Sequence, residues 1–507
     1  MQQEPSSLMN RFLNRVEWLG NKLPHPFILF VYFAIAIIII SWIVSQFNVA
    51  VEHPTTGEVI EARSLFSGEG LLFMLESMIT NFTGFAPLGL ILTMMLGIGL
   101  AQQVGLFDTF MKATIMRAPT ALVTYAIIFA AVLGNIASDA AMIIIPPLAA
   151  MVFYSLGRHP IAGMCAGFAG VAAGFTANII IAGTDALLAG ITEEAAQSII
   201  PEASVTPLDN WFFMSVSTFM VILVVGLVTT RIIEPRLGKF DDTYAEPAVL
   251  GETATNPSKQ EIKGLIYAVI GTVIYLALIG IALLPENSVL RGEDGDSPLL
   301  SNIVPIILVW FIIVSVAYGV TVGTIKKTAD IPNHMTEAMK SMVPYIVLVF
   351  AIAQFIAYFN WTNLSTILAV NTSEFLEGIG FTGLGLMVAF ILLAALLNQM
   401  ITSGSAQWAL MAPVFVPMLM LLGYDPAYAQ LAYRIGDSAS SVLTPLNPYL
   451  IMVLGFMKRY DSRMGLGSII SLMIPYAFIL LGVWILLFII WTLLGLPIGP
   501  GVGIYLD

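Results

Sequence analysis

The feature that most constrains this chain is a series of apolar runs, each long enough to cross a bilayer. They lie at 27–47, 84–104, 160–188, 211–231, 264–284, 302–323, 343–359, 427–455 and 466–496. A hydrocarbon core of about 30 Å takes roughly 20 helical residues, and in lipid only a helix or a closed barrel pairs every backbone polar group. Composition agrees: 58% of the residues are hydrophobic and 10% charged, where an average soluble protein carries about 25% charged residues.

Two further apolar regions, 120–155 and 381–421, are interrupted near their middles. Gly134-Asn135 to Ser138-Asp139 breaks the first, and Asn398 to Ser405 the second. Each arm is only about 15–20 residues, roughly 22–30 Å of helix, which suits a re-entrant hairpin with a polar tip at mid-membrane. Irregular backbone survives at that depth only where it is buried in protein or lines a wet cavity. The expected fold class is therefore an all-α polytopic membrane protein with nine transmembrane helices and two re-entrant hairpins.

Basic residues orient the scheme, because cytoplasmic loops carry the Lys/Arg excess. With the N-terminus cytoplasmic, seventeen of the 20 Lys and Arg fall in cytoplasmic segments, Arg63 and Arg291 fall outside, and Arg434 lies within a span. The same count allows a hairpin or two full crossings at each interrupted region and rejects a single crossing. The net charge of -12 leaves no basic surface for nucleic acid. Cys165 is the only cysteine and His25, His53, His159 and His334 are scattered, so neither a disulfide framework nor a Cys/His metal site is expected. The segment up to Pro26 is polar, and the first apolar run lacks a small-residue cleavage motif, so no cleaved signal peptide is expected.

Shifting the sequence on itself by 266 residues superposes Ala140 on Ala406, Pro147 on Pro413, Leu156 on Leu422, Gly157 on Gly423, Pro160 on Pro426, Gly170 on Gly436 and Ala173 on Ala439. Each half reads span, span, hairpin, span, span, with 264–284 left as a linker. The first repeat takes 1–232 with hairpin 120–155, the cytoplasmic loop and linker helix take 233–300, and the second repeat takes 301–507 with hairpin 381–421. Five crossings before the second half begins give it the opposite orientation, an inverted-topology repeat. Inverted repeats with helices broken at the midplane are the signature of secondary transporters.

Ionisable groups inside spans are costly and mark functional sites by default. Asp139, Asp185, Arg434 and Asp437 qualify. Arg434 and Asp437 are three apart and share a helix face, which reads either as a self-neutralising ion pair or as an arginine free for a substrate carboxylate, with Asp437 left for a coupling cation or proton. Asp139 reads as a mid-membrane carboxylate or as a cap on the second arm of its hairpin. Asp185 reads as a site residue or as a wet residue near the outer end of its span. The span 160–188 is interrupted by Gly170, Gly174, Asn178 and Gly183, and its counterpart by Pro445 and Pro448. Prolines leave carbonyls free. With Asn447, Thr444 and serine hydroxyls, those carbonyls are oxygen ligands of the kind a hard cation takes. In the second hairpin, a helix starting near Ser405 points unpaired amides at the tip. Trp408, one turn inside, reads as a stacking platform for an aromatic substrate, as core packing or as an interfacial anchor.

Several motifs together resemble the AbgT family of p-aminobenzoyl-glutamate transporters: Ser403-Gly404-Ser405-Ala-Gln407-Trp408-Ala-Leu-Met-Ala-Pro413, Gly423-Tyr-Asp-Pro426, Tyr433-Arg434-Ile-Gly-Asp437-Ser438, Thr444-Pro445-Leu-Asn447-Pro448-Tyr449 and Gly183-Thr184-Asp185. The resemblance runs the full length of the chain. It implies a homodimer in the bacterial inner membrane that carries p-aminobenzoyl-glutamate or p-aminobenzoic acid-like anions, sulfonamide-type antimetabolites among them, coupled to a proton or sodium gradient and with no other cofactor. Carried over by motif position, it implies a substrate set of Asp185, Ser405, Trp408, Pro426, Arg434, Asp437 and Pro445. Candidate sodium ligands are Asn398, Asp437 and Asn447, with Asn135, Ser138 and Asn178 as first-half counterparts. The rival readings are a sodium-coupled dicarboxylate transporter, which needs no aromatic platform, and an intramembrane hydrolase built on Asp139 and Asp185.

Overall fold

The computed structural model describes residues 24–52, 57, 59–137, 139–250, 256–285, 288–291, 297–444 and 447–506, with the side chains of Ala137, Asp139, Ala140 and Pro448 left out of the description. Numbering only helices of ten residues or more, the first half runs α1 Pro26–Ser45, α2 Gly68–Thr83, α3 Ala86–Gln103, α4 Leu106–Met116, α5 Val123–Gly134, α6 Asp139–Ser155, α7 Pro160–Ala173, α8 Gly183–Ala196 and α9 Trp211–Val228. The linker is α10 Lys259–Leu283. The second half runs α11 Ile303–Val322, α12 Asp330–Met339, α13 Val343–Trp361, α14 Leu364–Gly378, α15 Leu384–Asn398, α16 Gly404–Leu421, α17 Pro426–Ser441, α18 Pro448–Tyr460 and α19 Leu466–Leu493. A two-stranded hairpin, β1 Ala50–Glu52 with β2 Val59–Glu61, follows α1. Each helix of the first half thus has its counterpart ten places later.

Among the described residues seven spans are continuous: α1, α2–α3, α9, α10, α11, α12–α13 and α19. Two more are broken into short helices, α7 with α8 and α17 with α18. The hairpins are α5–α6 and α15–α16. The expected spans are all present, but sequence reading missed their amphipathic extensions. Gly68–Thr83 and Asp330–Met339 precede the predicted runs at 84–104 and 343–359, and Leu106–Met116 and Leu364–Gly378 follow them. These stretches mix polar with apolar residues, so a search for unbroken hydrophobicity passes over them.

The centre of the molecule is α7 and α17. All fourteen residues of α7 are buried, and α17 is buried from Pro426 through Ser440. Small side chains make this possible. A Cβ on Gly170 would lie 2.8 Å from the Ala131 Cβ of α5, and one on Gly436 would lie 2.4 Å from the Ile391 carbonyl oxygen of α15. The Gly170/Gly436 identity therefore has one physical meaning in both halves: the first piece of a broken span passes against the first arm of its hairpin with no room for a methyl group.

The Leu-Gly-x-x-Pro repeat is equally legible. Gly157 and Gly423 take left-handed backbone angles, φ +70° and +84°, which cost a glycine nothing. Pro160 and Pro426 open α7 and α17 at the first turn, where a missing N–H is harmless. A C-terminal strap secures the second of these turns: Asp425 N donates to Ile504 O at 3.0 Å and Leu506 N to Gly423 O at 3.0 Å.

The halves also pack across one another. The second piece of each broken span lies on the second arm of the other half's hairpin, α8 against α16 and α18 against α6. By contrast, α1 buries only Phe30, Ile37 and Ser41, and α10 only Gly264 and Ala268. Their exposed apolar faces suit lipid or another subunit.

Gly436→Ala is expected to lower stability by about 1–3 kcal/mol through overpacking. Gly455→Ala, where an added methyl meets nothing within 4 Å, should be neutral or slightly stabilising. Thermal unfolding in detergent, followed on the purified variants, checks both.

Candidate functional site

The site forms where the break in the first half, residues 174–182, meets α17 and the tip of the second hairpin. α7 ends at Ala173 with Gly174 as its C-cap, and Ala182 opens α8. Between them the chain is non-helical, so its carbonyls are free to accept from side chains. Phe175 O accepts from Arg434 Nη2 at 2.7 Å, and Ile179 O accepts from Trp211 Nε1 at 2.7 Å.

Arg434 and Asp185 form a fully buried ion pair, Nη2 to Oδ1 at 2.5 Å. The other oxygen of Asp185 accepts the Ala182 N–H at 2.7 Å, so this carboxylate also closes the first turn of α8. Thr176 adds a further tie, its hydroxyl 2.6 Å from the Arg434 carbonyl and 2.5 Å from the Ser438 hydroxyl. Asp185 is thus neither wet nor near solvent. Arg434 finds its partner across the repeat, in Asp185 rather than in Asp437. Spacing along one helix could suggest only the local partner, and the tertiary one prevails because the break brings α8 beside α17.

The polar residues of α17 recur at Gln430, Arg434, Asp437, Ser438 and Ser441, spacings that put them on one face. Asp437 faces the second hairpin: an added Cβ on Gly404 would lie 3.0 Å from Asp437 Oδ2 and 3.1 Å from the Phe175 ring. Gly404 is the first residue of α16, with Ser403 capping that helix by accepting from Ala406 N. Asn398, at the other side of the tip, donates through Nδ2 to Asp437 O at 3.0 Å and to Ser440 Oγ at 2.8 Å.

Trp408 is fully buried and stacks on Tyr433, ring centroids 4.5 Å apart. Its Nε1 donates to Thr192 Oγ1 at 2.9 Å, and that hydroxyl lies 2.5 Å from Gln430 Oε1. The ring is thus packed in the core rather than at the membrane interface. Tyr433 OH in turn donates to Gly404 O at 2.5 Å, so Trp408 props the helix that carries Arg434 and Asp437 against the hairpin tip.

The remaining candidates separate. Ser405 stands in the first turn of α16, its hydroxyl 3.3 Å from that of Ser403. Pro426 starts α17, eight residues before Arg434 and so about 12 Å away along the helix axis. Asn447 caps α18, its Oδ1 accepting from Tyr449 N at 3.0 Å, which leaves that oxygen a second lone pair. Asn135 is half-buried beside Gly174, where an added Cβ would lie 3.1 Å from its Nδ2. Pro445 and Ser138 lie outside the described residues, as does the side chain of Asp139.

Several buried polar atoms here have no hydrogen-bond partner among the described residues: Arg434 Nε and Nη1, Asp437 Oδ1, Asn398 Oδ1, both amide atoms of Asn178, and Thr184 Oγ1. Buried polar groups in native proteins are nearly always paired, with protein, ordered water or a ligand, so this concentration is where polar partners from outside the chain would be accommodated. It offers donors for an anion and oxygens for a hard cation. Among the described residues no cluster of His, Cys, Asp or Glu could hold a metal by itself.

Phe175, Thr176, Thr192, Gly404, Gln430 and Tyr433 were missed as site residues by sequence reasoning. Gln430 had a findable signal, one turn before Arg434 on the same polar face. Phe175 acts through its backbone, which side-chain chemistry cannot announce.

Residues 11–506 match the AbgT putative transporter family. The p-aminobenzoyl-glutamate transport protein of Escherichia coli strain K12 is 42% identical over 501 residues, covering 98% of this chain and 97% of that protein. Among solved structures, the Alcanivorax borkumensis YdaH transporter, described as having an unusual topology, is 37% identical with a TM-score of 0.88, covering 94% of this chain and 100% of the other. Neisseria gonorrhoeae MtrF, which illuminates a class of antimetabolite efflux pumps, is 40% identical with a TM-score of 0.91, covering 97% of this chain and 100% of the other.

Removing one partner of the buried ion pair strands the other, at a cost of about 3–5 kcal/mol. Asp185→Asn and Arg434→Gln are each expected to lower thermal stability strongly, and the double variant to recover a substantial part of the loss. A double-mutant cycle on unfolding checks this, with additive losses counting against a direct pair.

Proposed function

We propose, from the premise that this chain belongs to the AbgT family of transporters, that it is a secondary carrier of p-aminobenzoyl-glutamate and related p-aminobenzoic acid-like antimetabolites. The observation that supports the substrate class best is the state of Arg434. It is fully buried, it is anchored through Nη2 alone, and its Nε and Nη1 donors have no partner among the described residues. A guanidinium fixed in position with donors in reserve is suited to a carboxylate entering from a wet cavity. The E. coli relative, by its name, transports a ligand bearing carboxylates on an aryl amide.

In this reading Asp185 holds Arg434 ready, Asp437 and the oxygens of Asn398 and Asn178 take the coupling proton or sodium ion, and Gly404 lets the hairpin tip close on them. Alternating access moves the hairpins and broken spans against α1, α10 and α11. The domain division follows the repeat, 1–232 and 301–507 joined through α10. The N-terminus lies in the cytoplasm, the membrane is the bacterial inner membrane, and two protomers assemble through the exposed apolar scaffold. A hydrolase on Asp139 and Asp185 is disfavoured because Asp185 is ion-paired with Arg434 and bound to the Ala182 amide, contacts that make its carboxylate a weaker base.

The test is uptake of labelled p-aminobenzoyl-glutamate and p-aminobenzoic acid into proteoliposomes with imposed sodium or proton gradients. Flux is expected to follow at least one gradient, and flux indifferent to both contradicts coupling. Arg434→Lys keeps the charge but loses the planar fork, so transport is expected to fall by about tenfold or more, the equivalent of a lost charge-assisted hydrogen bond.

A further inference from the structure

A cavity of about 430 Å³ lies where α4, α10 and α11 meet the first hairpin. Its volume falls within the roughly 300–1,000 Å³ of small-molecule sites. Four rings line it: Phe107 and Phe110 of α4, and Trp310 and Phe311 of α11. They are already arranged as an aromatic wall, Phe107 edge-on to Phe311 at 6.0 Å and Trp310 against Phe311 at 4.6 Å.

The polar groups in this wall are internally satisfied. Trp310 Nε1 donates to Thr272 Oγ1 at 2.9 Å, Thr272 Oγ1 to Ala268 O at 3.0 Å, and Thr114 Oγ1 to Phe110 O at 2.8 Å. The body of an occupant therefore gains from being apolar and aromatic. One charge stands among the lining residues: Arg117, just past the end of α4, exposed and without an ion-pair partner among the described residues. A flexible acyl chain has no π face to match four rings, whereas an aryl acid matches both the rings and the guanidinium.

The cavity also reaches the first hairpin and the break of the first-half span. Ile136 belongs to the tip of the first hairpin, and Ile180 lies in the break of the first-half span, two residues after Asn178. We infer that this cavity is a second binding site, an anteroom for amphipathic aromatic anions, with the ring among Phe107, Phe110, Trp310 and Phe311 and the acid at Arg117. The inference rests on the proposed transport of such anions and adds a place where they wait beside the central site.

The test is photolabelling of the full-length protein in proteoliposomes with 4-azidobenzoate, mapped by mass spectrometry. Label is expected on the peptides bearing Phe107 and Phe110 or Trp310 and Phe311, as well as near Arg434, and p-aminobenzoate should compete for both. Arg117→Gln should reduce labelling of the cavity peptides by about tenfold and leave labelling near Arg434 in place. Ala268→Trp, which fills the cavity, should do the same, with the persisting label near Arg434 reporting an intact fold. Label near Arg434 alone overturns the anteroom and leaves the transport reading standing. Cavity label that ignores Arg117→Gln and is displaced by phosphatidylglycerol overturns it in favour of a lipid site. Absence of label at both places overturns the anteroom and the substrate reading together.

Discussion

The structure depends on one buried contact, Arg434 with Asp185, fully enclosed at 2.5 Å. A charge at mid-bilayer costs about 2.5–3.5 kcal/mol on insertion scales, and burial in protein without a partner is no easier. Neither residue can sit where it does alone. Because Asp185 comes from the first half and Arg434 from the second, the pair forms only once the two halves have packed. Helix breakage makes the contact possible: the non-helical stretch after Gly174 supplies the Phe175 carbonyl and the Thr176 hydroxyl, which hold the arginine's side chain and backbone respectively.

The same contact leaves work undone. A structural ion pair would satisfy its guanidinium fully, yet Nε and Nη1 have no partner among the described residues, and neither do Asp437 Oδ1 or the Asn178 amide. A half-satisfied network in a low-dielectric interior is less stable than an apolar core, so its presence argues for a ligand that completes it. The packing around it is close: Trp408 on Tyr433, Gly436 on Ile391, and Gly404 against Asp437 and Phe175. Close-packed walls around unsatisfied donors are what discrimination between anions requires.

Much of the fold was legible in the sequence because lipid makes hydrophobic length so strong a constraint. The spans and both hairpins follow from run length, and Gly157, Gly170, Gly423 and Gly436 reveal the repeat because left-handed backbone at the first and third and close approach at the other two favour glycine. The amphipathic helices were not legible, since nothing about Gly68–Thr83 or Leu364–Gly378 reaches the threshold of an apolar span. In the site, residue types were legible and partnerships were not. Periodicity places Arg434 beside Asp437, while only the packing of α8 against α16 and α17 brings Asp185 to it. Asn447 and Pro426 stand at helix starts, and residue type alone does not separate that use from a part in a site. Trp408 illustrates the same limit: an aromatic at a hairpin tip has one sequence signature for stacking on a ligand and for stacking on a tyrosine.

The central claim is that Arg434 holds the transported anion and that Asp185 holds Arg434. Equilibrium binding of labelled p-aminobenzoyl-glutamate to the purified double variant Asp185→Asn/Arg434→Gln tests it most directly, because that variant removes both charges and strands neither. The account predicts a folded protein whose affinity has fallen by at least about tenfold, the loss of one charge-assisted contact. A folded double variant that binds as tightly as the parent would contradict it and reduce the pair to scaffolding.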